Sequence, residues 1–144
     1  MGEGSAVSEP TQTIVRLFDR VAAKDLRGAS ELFALDAVFT EGRTALQGRS
    51  AIRQMLAEMW EAFPDLRVEV RAMIGEGSTV MTEIELVGTH RRPFMGCEPT
   101  GRIIRWPGAA HYETNDAGDQ IVSESFFYDS VGLVERLKAS PAGE

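Results

Sequence analysis

The sequence predicts an α+β fold, a curved antiparallel sheet wrapped around helices and enclosing a pocket. Three observations lead there. Apolar residues recur at helical spacing through the first 62 residues. From Leu66 onward they alternate with polar residues, as half-buried strands do. Two β-prone runs, 102–114 and 121–129, then flank the turn cluster Asn115-Asp116-Ala117-Gly118-Asp119-Gln120, which marks a hairpin.

Ser8 or Thr11 is placed to cap a first helix through residue 21, with Ile14, Leu17, Phe18 and Val21 on one face. Ala22-Ala23-Lys24-Asp25 breaks it. A short second helix sets Leu26, Ala29, Leu32 and Phe33 on one side. A Leu35-Asp36 turn then leads into a strand over 37–41, and Gly42 and Gly48 bracket a loop. Ser50 caps a third helix over 51–61, which carries Ile52, Met55, Leu56, Met59 and Trp60 and stops at Phe63-Pro64-Asp65. Strands over 66–74 and 79–88 alternate and join through Gly75-Glu76-Gly77-Ser78. The second sets Val80, Thr82, Ile84 and Leu86 on one face. Residues 89–101 form a long loop. Pro107-Gly108 suggests a bulge that would curl the sheet, whose concave side then meets the helices around a conical cavity. Asp129 caps a last helix with Val131, Leu133, Val134 and Leu137. This makes one domain over 10–138, with tails at 1–9 and 139–144.

At 144 residues the chain is long enough for a real core. Its net charge of −7 argues against nucleic acid and anionic membrane as partners, since both require basic patches. Cys97 is the sole cysteine, so neither an internal disulfide nor a cysteine metal cluster is possible. No apolar run approaches the ~18 residues of a spanning helix. Met1 to Pro10 lacks a basic-then-apolar signal, so a cytoplasmic location is expected. The two histidines, His90 and His111, form no i, i+4 pair, which speaks against a metal site. No glycine-rich nucleotide fingerprint is present.

With Ala117-Gly118 as a two-residue loop, His111 falls opposite Glu124. Ala109, His111 and Glu113 then share a face with Val122, Glu124, Phe126 and Tyr128. A longer loop would shift this pairing. An imidazole fixed by a carboxylate can shuttle protons near neutral pH; alternatively, His111 is a hydrogen-bonded sheet residue and Glu124 a solvated one. Trp60, Phe94, Trp106, Phe126 and Tyr128 suit a flat apolar ligand, although each alone is more often a core residue. Asp129 reads as a helix cap and His90 as part of a loop.

Phe63-Pro64-Asp65-Leu66, Gly88-Thr89-His90, Pro93-Phe94-Met95-Gly96, Pro99-Thr100-Gly101-Arg102, Ile121-Val122 and Tyr128-Asp129 together resemble the SnoaL-like polyketide cyclase family. That family belongs to the nuclear-transport-factor-two-like superfamily, alongside ketosteroid isomerase. The resemblance runs from about Thr11 to Leu137. It implies a ketosteroid-isomerase-like cone, a homodimer formed through the sheet, a buried cavity for a small apolar ligand, and no metal or organic cofactor. Glu41 resembles the carboxylate base of the isomerases, and His111 the pocket histidine of the cyclases. Phe126 falls where the cyclases place an aspartate, and a phenyl ring cannot take a proton. Glu124, two residues away, is the substitute. Leu17 falls where the isomerases place a tyrosine and cannot donate a hydrogen bond.

The expected function is therefore cofactor-independent acid/base catalysis, cyclisation or isomerisation, on a small apolar polyketide-like or carbonyl substrate. His111, Glu124 and Glu41 are the expected catalytic residues. The rival is a non-catalytic ligand-binding or dimerisation module of the same fold, which Phe126 favours.

Overall fold

The computed structural model describes residues 8–139. The expected tails at 1–9 and 139–144 lie largely outside them, and Ser8 and Glu9 already belong to the first helix and its cap. In chain order the elements are α1 (Glu9–Ala22), α2 (Leu26–Glu31), β1 (Phe33–Glu41), β2 (Thr44–Gln47), α3 (Arg49–Ala62), β3 (Arg67–Glu76), β4 (Thr79–Thr89), β5 (Ile103–Thr114), β6 (Ile121–Tyr128) and α4 (Ser130–Lys138). The strands form one six-stranded sheet in the order β2-β1-β6-β5-β4-β3. Every pair is antiparallel except β1 with β6, which run parallel. Among the described residues no helix is long and apolar enough to cross a membrane.

The Ser8 hydroxyl accepts from the Thr11 amide and starts α1, whose Ile14, Leu17, Phe18 and Val21 are buried. Lys24, in left-handed backbone at φ 58°, ends the turn that follows. The predicted second helix ran on through Leu32 and Phe33, but α2 stops at Glu31. The Ile121 amide donates to the Leu32 carbonyl at 2.7 Å, and Phe33 already pairs with β6. Long-range pairing has overridden the local helical pattern. Leu35 and Asp36 form no turn but lie within β1, where the register against β6 shifts between Phe33 and Val38. The loop expected between Gly42 and Gly48 contains β2. Gly48, not Ser50, caps α3.

The sheet's irregularities are not where the proline suggested. β4 and β5 pair without a break from Thr79–Glu113 to Thr89–Ile103, so Pro107-Gly108 is not a bulge. The register shifts instead at Arg71 in β3, at Val122 in β6 and early in β1. Extra residues of this kind increase local twist and bend the strand. The inner face of the curved sheet carries Val80, Thr82, Ile84 and Leu86 from β4, all buried as their alternation predicted. Helices α1 and α3 lie against this face and close it.

Two glycines allow close packing. A Cβ on Gly88 would meet the Phe63 Cβ at 2.8 Å, and one on Gly108 would meet the Phe126 ring at 2.7 Å. Phe63 follows α3 and is fully buried. Asp65, two residues on, ties that corner to β4 by accepting from the Thr89 amide at 2.6 Å and the Thr89 hydroxyl at 2.7 Å. Replacing Gly88 by Ala should therefore drive a methyl group into Phe63 and cost about 1–3 kcal/mol of stability, read as a lower urea midpoint with an unchanged slope. An unchanged midpoint would mean that this corner yields freely.

Candidate active site

A cavity of about 1020 Å³ lies between the inner face of the sheet and the helices. Leu17, Phe18 and Val21 of α1, Met55, Leu56, Met59 and Trp60 of α3, and Ile84 and Leu86 of β4 give it an apolar wall. The exposed lining residues Glu58, Glu61, Arg92, Pro93 and Met95 mark its mouth, at the end of the sheet bounded by the 90–102 loop. That loop is pinned at its base. The Arg91 amide donates to the Ala62 carbonyl at 2.8 Å, and the His90 amide to the Arg102 carbonyl at 2.9 Å. His90 is fully buried, stacks on Phe63 and accepts from the Thr100 amide through Nδ1 at 3.2 Å. Burial, with Arg102 nearby, holds this imidazole below its ordinary pKa. His90 is thus a brace for the loop that carries Phe94 to the cavity.

The hairpin sets the polar end. Its turn is longer than two residues, yet at the tip Thr114 still pairs with Ile121, the pairing that a two-residue loop implies. Val122 is then left unpaired, and the next pair is Glu113 with Ser123. That one-residue step carries through the rest of the ladder. Tyr112, not His111, stands opposite Glu124, and His111 stands opposite Ser125 on the other face. The expected meeting of His111 with Glu124 does not occur. His111 Nε2 lies 2.8 Å from Glu113 Oε2 on the outer face, and Glu113 also accepts from Ser78 and Thr79. Of the β6 half of the expected face, Glu124, Phe126 and Tyr128 line the cavity and Val122 does not.

Glu41, the last residue of β1, lines it too and accepts a hydrogen bond from the Tyr128 hydroxyl at 2.6 Å. Trp60, Phe94, Trp106, Phe126 and Tyr128, the five expected ligand contacts, all reach the cavity. The Phe126 and Tyr128 rings stack at 5.1 Å with 25° between their planes. Glu41 and Tyr128 sit toward the mouth. Glu124 and Tyr112 lie deeper; Glu41 stands opposite Phe126, two residues or roughly 7 Å of strand from the level of Glu124, and Tyr128 is two residues further out.

Glu124 is half-buried in the wall of the cavity. Burial pushes its carboxyl up to about 8; the Tyr112 hydrogen bond pulls it down and the charge on Glu41 raises it. Glu124 is thus mostly protonated at neutral pH and can donate a hydrogen bond or a proton. Burial, reinforced by Glu124, raises the Tyr112 phenol well above its ordinary value. Among the described residues no three His, Cys, Asp or Glu side chains converge as a metal cluster would require.

The profile of the SnoaL-like polyketide cyclases matches residues 12–137. The chain belongs to that family. No curated protein sequence matches it. Among solved structures it is similar to a candidate SnoaL-like polyketide cyclase from Jannaschia sp. CCS1, at 25% identity and a TM-score of 0.82 over 92% of this chain and 94% of that one. It is also similar to IdmH, a candidate polyketide cyclase from Streptomyces antibioticus, at 27% identity and a TM-score of 0.77 over 92% and 100% of the two chains. A protein from Catenulispora acidiphila with a ketosteroid isomerase-like fold shares the architecture at 16% identity and a TM-score of 0.72, over 90% and 97%. The SnoaL-like fold here is thus of a kind that hosts conversion of small molecules, and its cavity is of the size that takes them.

Family resemblance had supplied Glu41, and β6 alternation supplied Glu124. Tyr112 was missed. The signal that could have found it is the turn cluster itself, because six polar or small residues leave room for a longer loop and an altered register. Arg92, a cationic side chain among the described lining residues, lies in the segment that the sequence marks only as a long loop.

The Glu124 shift makes stability depend on pH. The unfolded chain ionises this residue near its ordinary 4.5, whereas the folded chain holds the proton to about 8. Between those values only the unfolded state has lost the proton, so stability falls as pH rises and levels off above 8. Glu124→Gln removes the titrating group. Its stability relative to wild type should rise by roughly 2–4 kcal/mol between about pH 5 and pH 8 in urea denaturation. A gap that does not change with pH would show that water reaches Glu124 freely.

Proposed function

We propose that this SnoaL-like protein is a cofactor-independent acid/base enzyme that enolises a small apolar, polyketide-like carbonyl compound and directs the enol to cyclisation or isomerisation. The observation that carries this reading is the presence in one apolar cavity of two carboxyl groups with opposed tasks: Glu124 keeps its proton at neutral pH, and Glu41 bears the charge that helps it do so. The similarity to IdmH and to the Jannaschia protein supports a polyketide-like substrate.

In the proposed reaction Glu41 takes the proton from the carbon beside the carbonyl. The C–H electron pair forms the enol double bond, and the carbonyl π pair moves onto oxygen. Glu124, supported by Tyr112, donates to that oxygen as its charge develops. The two groups help each other. Once Glu41 has taken a proton, its charge no longer raises the Glu124 pKa, and Glu124 releases its own proton more readily. The enol carbon then attacks a second carbonyl in the same molecule, whose π pair moves onto its oxygen and takes the proton from Glu41. The enol O–H returns its proton to Glu124 as the first C=O re-forms. In an isomerisation Glu41 returns its proton to the far carbon of a conjugated enol, and the enol O–H again returns its proton to Glu124. The apolar wall keeps water from competing.

A substrate-independent assay follows. The protein should accelerate exchange of the α-hydrogens of 2-tetralone, an apolar bicyclic ketone, in deuterated buffer, as read by NMR. Glu41→Gln should slow that exchange on the order of 10²–10⁴-fold. Glu124→Leu should slow it on the order of 10²–10³-fold, with Glu124→Gln, which still donates, retaining more. His111→Ala, on the outer face, should leave the rate within about twofold. Saturable binding of 2-tetralone without exchange would overturn the proposal in favour of a non-catalytic ligand-binding module.

A further inference from the structure

We propose that Tyr128 is the positioning residue for Glu41, and that Phe126 and the bare backbone of Gly108 fix where Tyr128 stands. This rests on the reading of Glu41 as the base.

Glu41 ends β1, where its backbone pairs with Thr44 of β2 and Phe126 of β6, and is followed by Gly42 at φ 57°. A glutamate there has three side-chain torsions and an apolar cavity in front of it, and neither selects a direction for the carboxyl. The Tyr128 hydroxyl does, by donating to Oε2 at 2.6 Å. Burial, and then Glu41 itself, raise the Tyr128 phenol far above its ordinary range, so it remains a donor at any working pH. With Oε2 engaged, Oε1 is the oxygen left to face a ligand.

The tyrosine is itself oriented. Its ring lies on Phe126, with centroids 5.1 Å apart and 25° between planes. The Phe126 ring in turn rests on Gly108, the cross-strand partner of Tyr128. Any side chain on Gly108 would strike Phe126 Cε1 at 2.7 Å and the Phe127 carbonyl at 2.8 Å. A continuous line of contact therefore runs from a backbone hollow in β5, through two stacked rings, to one carboxyl oxygen in β1. It also gives the Phe126 side chain a task that needs no proton. Misplacing a reacting group by about 1 Å can cost on the order of 10²-fold in rate.

Tyr128→Phe preserves the ring and its stack and removes only the hydroxyl. In the 2-tetralone exchange assay it should lower kcat roughly 10–100-fold with KM within about twofold of wild type. The double variant Glu41→Gln/Tyr128→Phe should be no slower than Glu41→Gln alone, because a positioning residue has nothing left to position. Losses that multiply, or a raised KM with kcat intact, would overturn the proposal and make Tyr128 a direct substrate contact. A second measurement needs no turnover. Three-bond carbon couplings of the Glu41 side chain should report one rotamer in wild type and averaged rotamers in Tyr128→Phe. Averaging in both proteins would overturn the proposal. A wild type that does not exchange 2-tetralone, yet shows the change in couplings, would sink the functional reading and leave the positioning role standing.

Discussion

One unpaired residue, Val122, decides which face of β5 looks into the cavity. Side chains alternate along a strand, so a step of one residue exchanges every inward group for an outward one. Below the step Thr114 and Ile121 keep the pairing of a short hairpin; above it Tyr112 meets Glu124 and Ala110 meets Phe126. The chemistry of the pocket follows from that exchange. A phenol, which donates and resists ionisation, stands beside the buried acid where an imidazole would otherwise have stood. The imidazole of His111 is left outside with Glu113.

The rest of the fold builds the apolar wall around that acid. The Ser8-capped α1 lays Leu17, Phe18 and Val21 over the inner face, while α3 adds Met55, Leu56, Met59 and Trp60. Phe63 and Asp65 hold the corner between α3 and the sheet, and His90 braces the loop that brings Phe94 to the mouth. A carboxyl surrounded in this way avoids ionising, since charge in an apolar medium is costly. Glu124 accordingly destabilises the folded protein at neutral pH. On the proposed reading, a fold that retains such a group gives up stability for a proton held where a carbonyl oxygen can reach it.

Much of this was legible in the sequence because the pattern was local. Helical spacing in α1 and α3, strict alternation in β4 and the cap at Asp129 each depend on neighbours within a few residues, and each is found as expected. The inward face of β6 was legible for the same reason. What failed depended on distant partners. Leu32 and Phe33 have helical spacing, but β6, nearly ninety residues on, draws them into pairing. Pro107-Gly108 looks like a bulge from composition, yet Gly108 is there to receive the Phe126 ring. The Val122 step is invisible in composition because valine suits a regular strand equally well. No local rule separates a paired valine from an extra one; only the identity of the residues opposite does.

The position of Phe126 bears on whether the protein can be a catalyst at all. A phenyl ring at a place where the family resemblance leads one to expect an aspartate argues for lost chemistry only if that place must supply the proton. Here acids flank it on both sides, Glu124 two residues deeper on β6 and Glu41 across the ladder on β1. Each has its own phenol, Tyr112 and Tyr128 respectively. The ring between them is seated on one side and stacked on the other. It thus helps to orient the outer of the two acid–phenol pairs. On the proposed reading the site has divided the duties of one aspartate between two glutamates, and the phenylalanine, lying between Glu124 and Tyr128 along β6, supports the outer pair.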